Sequence, residues 1–68
     1  MSQKKIYEIL QELGGTAFPK QISELAKRRY PDAKLYTYVH DRLHRLRKWG
    51  YVRKNMDGSW SIIAKYKD

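Results

Sequence analysis

Sixty-eight residues put this chain at the low end of single-domain length, where folding hides only about 60% of the surface that the unfolded chain exposes. Fifteen Lys and Arg against seven Asp and Glu give a formal charge of +8, a density whose self-repulsion an anionic partner would relieve. There is no Cys, which excludes a disulfide framework and a thiolate zinc site, and no apolar run has the length that a signal peptide or membrane span requires. The expectation is one domain over 1–68 with a modest core and a soluble, cytoplasmic location. Nucleic acid is the first candidate partner and an acidic membrane surface the second, with plain solubility as the bland alternative. The charge is concentrated: Lys34, Arg42, Arg45, Arg47, Lys48, Arg53 and Lys54 face the single acid Asp41, a local balance of +6.

Ser2 stands where it can cap a first helix, about 3–13, in which Ile6, Ile9, Leu10 and Leu13 recur at the spacing of one buried stripe. Gly14 and Gly15 stop it. Residues 16–18 lead into Pro19, suited to the first position of a second helix over about 19–29. Ile22, Leu25 and Ala26 form its short apolar face. Lys27, Arg28 and Arg29 complement the dipole of its last turn, and Pro31 follows its end.

A third helix is expected over about 35–49, capped by Asp32 or Thr37 and stopped by Gly50. At about 100° per residue, Leu35, Val39, Leu43 and Leu46 fall in one narrow sector, with Arg42 and Trp49 at its edge. The opposite sector carries Thr37, Asp41, His44 and Lys48, flanked by Lys34, His40 and Arg47. That sector is the face left for a partner.

Two short extended runs follow, 51–55 and 59–63, joined by Met56, Asp57 and Gly58. A two-residue Asp-Gly turn would put Val52 and Ile62 on opposite faces. A three-residue loop with Gly58 in the left-handed position pairs Asn55 with Ser59, collecting Val52, Trp60 and Ile62 on one face and Arg53, Asn55, Ser59 and Ser61 on the other. The second register is preferred because it does not split the apolar residues. Residues 65–68 are expected to fray.

Three helices and a hairpin, with a basic third helix, make an α+β, mostly α, architecture that resembles the winged helix-turn-helix superfamily. Over 39–52 the chain has Val39, then Leu43 and Leu46 four and seven places on, then Gly50 followed by the apolar pair Tyr51 and Val52. Bacterial and archaeal transcription regulators of the MarR and ArsR type share this order at the end of the recognition helix and the first wing strand. The segment Gln21-Ile22-Ser23-Glu24-Leu25-Ala26 resembles their second helix, and Trp60-Ser61-Ile62 their wing. One departure is visible. Val39 stands thirteen residues after Ala26, farther than is usual in those families, so the turn around 30–34 is longer here.

The resemblance implies a double-stranded DNA-binding protein, a transcriptional regulator acting alone or as a homodimer, with no catalytic chemistry, cofactor or metal. It assigns Tyr36, Thr37, His40, Asp41 and His44 to base edges in the major groove. Lys34, Arg45, Lys48, Arg53 and Lys54 would hold phosphates, and Asn55 and Ser59 on the wing would reach an adjacent groove or backbone. Bland readings stand beside these: a solvated helix face, an Asp41 paired with Lys34 or Arg45, an ordinary exposed strand face. Trp49 and Trp60 read as core or rim packing rather than stacking platforms. His40 and His44 are spaced to share a metal, although Asp41 is shorter than the Glu of the zinc-hydrolase pattern and no third ligand is evident. A Z-DNA reader matches only at Trp60. The alternative from another class is a winged helix that docks proteins or RNA, which would expose an apolar patch.

Overall fold

The computed structural model describes residues 2–67, the side chain of Ser2 excepted, so the expected Ser2 cap lies outside the described residues. The first apolar stripe folds as α1 (Ser2–Glu12), burying Ile6, Tyr7, Ile9 and Leu10 and packing Leu13 at the edge of the core. α2 (Pro19–Arg29) has the expected bounds. Its first residue brings a preset φ and lacks only an N–H that would have had no helical partner, and the Phe18 N–H donates to the Gln21 side-chain oxygen at 2.8 Å. Arg29 pairs with Glu12, which ties the ends of α1 and α2 together.

The third helix departs from expectation. In place of one α-helix over 35–49 there are two 3-10 turns, Pro31–Ala33 and Leu35–Tyr38, hinged at Lys34, and then α3 (Val39–Lys48). Lys34 is left-handed, at φ 51° and ψ 25°. The long spacing between Ala26 and Val39 is taken up by this double turn, and the Ser23 hydroxyl pins it to α2 by donating to the Tyr36 carbonyl at 3.2 Å. Neither Asp32 nor Thr37 caps α3. The cap position is Tyr38, with no side-chain hydrogen bond, because the Thr37 hydroxyl donates instead to the Lys34 carbonyl at 2.7 Å. Gly50, at φ 82°, ends the helix as expected, and the Tyr51 N–H reaches back to the Leu46 carbonyl at 2.9 Å.

β2 (Val52–Lys54) and β3 (Trp60–Ile62) form the hairpin in the three-residue-loop register. Val52 lies opposite Ile62, Arg53 opposite Ser61 and Lys54 opposite Trp60. The Asn55 N–H meets the Ser59 carbonyl at 2.8 Å, and Gly58 takes φ 93°. Val52 and Trp60 are buried in the core. A third strand, β1 (Thr16–Ala17), was not anticipated; it pairs antiparallel with the free edge of β3, giving the order β1-β3-β2. The fold is therefore α+β and mostly helical, with a small antiparallel sheet closing one core.

The tail also departs from expectation, because its aromatic ring has somewhere to go. Tyr66 packs its ring, tilted, against Tyr51 at 4.8 Å and against Tyr7 at 5.3 Å between centroids. The Tyr7 hydroxyl donates to the Ala64 carbonyl at 2.8 Å and accepts the Tyr66 N–H at 3.2 Å. Asp68, part of the same expectation, lies outside the described residues. Among the described residues no helix is long and apolar enough to cross a membrane.

Candidate nucleic-acid interface

Once Val39, Leu43 and Leu46 have committed one arc of α3 to the core, the rest of the helix is left outside. His40, Asp41, His44, Arg45, Arg47 and Lys48 are all exposed, and Thr37 and Lys34 stand just ahead of them, also exposed. Tyr36 stands apart from these residues. The 3-10 geometry turns it inward, half-buried against the core, with the Lys27 ammonium 5.4 Å over its ring.

An aromatic contact joins the helix to the hairpin. His44 sets its ring against Trp60 edge-on, at 5.4 Å and 89°, while the Trp60 indole is buried with no hydrogen-bond partner on Nε1 among the described residues. Because Lys54 pairs with Trp60 across the ladder, it lies on the same side of the sheet as that contact. Alternation along β2 sends Arg53 to the other side. The two basic residues of β2 therefore serve different surfaces: Lys54 extends the arc of α3, and Arg53 does not.

Arg53 belongs instead to a polar network across the back of the sheet. Its Nε donates to Asn55 Oδ1 at 3.1 Å, and Asn55 Nδ2 donates to Ser59 Oγ at 3.0 Å and Ser61 Oγ at 2.8 Å. The Ser61 and Thr16 hydroxyls lie 2.8 Å apart, joining β1 to the network. Asp57 Oδ1 accepts both the Ser59 hydroxyl at 2.6 Å and the Ser59 N–H at 2.9 Å. Those two bonds, the hydroxyl first, hold the Asp57 carboxyl below its ordinary value of 3.8. Asn55 and Ser59 are thus fasteners of the loop. Ser59 is only 4% exposed, so its hydroxyl is committed inside the hairpin.

On α3, the one acid of the basic stretch sits between two guanidinium groups. Asp41 pairs with Arg42 and lies 3.5 Å from Arg45 Nε. It pairs with Arg45, as one bland reading had it, and its other partner is Arg42 rather than Lys34. Among the described residues no group of three or more His, Cys, Asp or Glu could hold a metal ion.

Two features escaped the sequence. A groove of about 310 Å³ runs between the start of α2 and the double turn, lined by Pro19, Lys20, Ser23, Thr37 and His40 among others. Lys20 thereby joins the residues beside His40; Pro19 at the first helical position was the signal, since it sets Lys20 in an exposed first turn. Trp49 is 67% exposed and Tyr38 52%, whereas Trp49 was expected in the core or rim. The reason is that α3 ends at Lys48, leaving Trp49 in the cap. No protein-family model, curated protein or solved structure matches this chain.

Proposed function

We propose that this chain is a winged helix-turn-helix protein that binds double-stranded DNA, with α3 in the major groove and the β2–β3 hairpin as its wing. It acts as a transcriptional regulator, alone or as a homodimer on paired half-sites. The observation that carries this reading is the His44–Trp60 contact, which joins the outer arc of α3 and the Lys54 side of the sheet into one basic surface. A major groove about 12 Å wide admits one helix. Thr37, His40 and His44 meet base edges there, and Lys34, Arg45, Lys48 and Lys54 hold phosphates and set register.

The test is a titration with duplex DNA at several salt concentrations, following backbone amide shifts. Four such phosphate contacts imply a log-log salt slope of about −3.6, at roughly 0.9 per phosphate. Perturbations should centre on 34–48 and on Lys54. Joint replacement of Arg45→Ala and Lys48→Ala should weaken binding to all sequences alike, while His44→Ala should change the preference between sequences. Affinity that ignores salt, or shifts that miss α3, would refute the proposal.

A further inference from the structure

The flank of α3 turned away from Trp60 has a different chemistry from the arc just described. Counting about 100° per residue, Arg42, Arg45 and Trp49 fall within about 60° of one another, roughly 100–160° round the helix from His44. Tyr38 joins them, with the Arg42 guanidinium 5.3 Å from its ring centroid. Trp49 and Tyr38 are the two most exposed aromatic side chains among the described residues. They bracket a stripe about 16 Å long, at 1.5 Å per residue. Such exposure of aromatic surface calls for an occupant.

Charge and shape select which. A second copy of the chain would bring Arg42 and Arg45 against their own kind, since a two-fold interface sets one patch on itself. A lipid surface needs a broad apolar face to insert, and this is a single row between charged residues. Duplex DNA offers phosphates but keeps the faces of its bases stacked. Unpaired strand offers both groups at once, a phosphate for a guanidinium and a π-face for a ring. We propose that this flank binds single-stranded nucleic acid, with Trp49 and Tyr38 stacking on bases, Arg45 on the strand's phosphates, and Arg42 holding the Tyr38 ring in place. Trp49 and Tyr38 lie outside the surface assigned to duplex DNA; Arg45 is common to both, and the stacking flank does not depend on that assignment.

Tryptophan fluorescence reads it directly, because Trp60 is 1% exposed and Trp49 is 67% exposed. The full chain is titrated with oligothymidylate, oligouridylate and, in parallel, duplex DNA. Both single strands should quench the emission, and whichever binds more tightly identifies DNA or RNA as the source. Trp49→Ala should weaken oligothymidylate binding about tenfold, the scale of one lost stacking contact. It should leave duplex affinity unchanged, and Trp49→Phe should restore most of the loss. Circular dichroism of each variant establishes that it is folded. The inference is overturned if Trp49→Ala binds oligothymidylate as well as the parent chain, or loses duplex and single strand equally. It is overturned too if anionic phosphatidylserine vesicles or self-association, rather than oligonucleotides, protect Trp49. A chain that binds the single strand but no duplex would sink the duplex reading and leave this one standing.

Discussion

Replacing Asp41 with Asn tests whether the acid on α3 reads a base or restrains its neighbours. Asp41 and Arg45 are each more than half exposed, so their pair contributes at most about 1 kcal/mol to folding. Removing a carboxylate from the first turn of α3 forfeits a dipole interaction of about 0.3–1 kcal/mol. The variant should therefore fold, with a melting temperature lowered by a few degrees. Its effect on duplex binding should be opposite in sign. The carboxylate leaves Arg45 and Arg42, the local charge rises by one, and Arg45 is no longer divided between Asp41 and its phosphate. A full phosphate contact is worth about 0.9 of log-log salt slope, so completing that of Arg45 should steepen the slope by at most this much, and the gain in affinity over the parent should shrink by up to about threefold between roughly 50 and 200 mM salt. Fluorescence anisotropy with a labelled duplex across that range measures both quantities. Weaker binding with an unchanged slope would refute the argument, and would mean that Asp41 accepts a hydrogen bond from a base.

Tyr7→Phe removes two hydrogen bonds from the tail contact and should cost about 1–3 kcal/mol, at roughly 0.5–1.5 for each bond. A thermal melt should fall by about 4–8 °C per kcal/mol in a domain of this size, with amide exchange at Tyr66 speeding up. Asp57 sets a pH dependence at the hairpin tip. Its folded pKa is depressed, so its contribution is complete above the ordinary value of 3.8 and is withdrawn as pH falls through the lowered one. Amide shifts of Gly58 and Ser59 followed through an acid titration should move in that window, and Asp57→Asn should abolish the movement. Gly58→Ala meets no atom of the described residues within 4 Å, yet it forces a side chain onto φ 93°. The expected cost is about 1–2 kcal/mol, measured by chemical denaturation, and an unchanged midpoint would contradict the loop geometry.

Local patterns were legible and long-range ones were not. Ile6, Ile9 and Leu10 repeat at a helical period, Pro19 and Gly50 punctuate, and the hairpin register follows from keeping Val52 and Ile62 on one face; each is decided within a few residues. The double turn was hidden because Leu35 and Val39 keep a spacing that a continuous helix also satisfies, and no side chain announces that Lys34 is left-handed. β1 is only two residues long, too short for any alternation to show. The site divides in the same way. Exposure of His40, Asp41, His44 and Lys48 followed from the helical period, but the inward turn of Tyr36, the enclosure of Ser59, the contact of His44 with Trp60 and the opposed directions of Arg53 and Lys54 depend on tertiary placement. Trp49 was misassigned because one residue past the helix end decides whether that ring faces the core or water.

The strand order has a kinetic consequence. β1 and β2 meet only through β3, so neither can enter the sheet before it. The hairpin closes over three residues and can form in about 1–10 μs, whereas Thr16 must find Ser61 across forty-five residues of chain, at a higher entropic cost of loop closure. Refolding should therefore protect the amides of β2 and β3 that bond to each other before the Ile62 amide, which bonds to the Gly15 carbonyl. The surface that joins α3 to the hairpin draws on β2 and β3 alone, so it can be in place before that last edge zips.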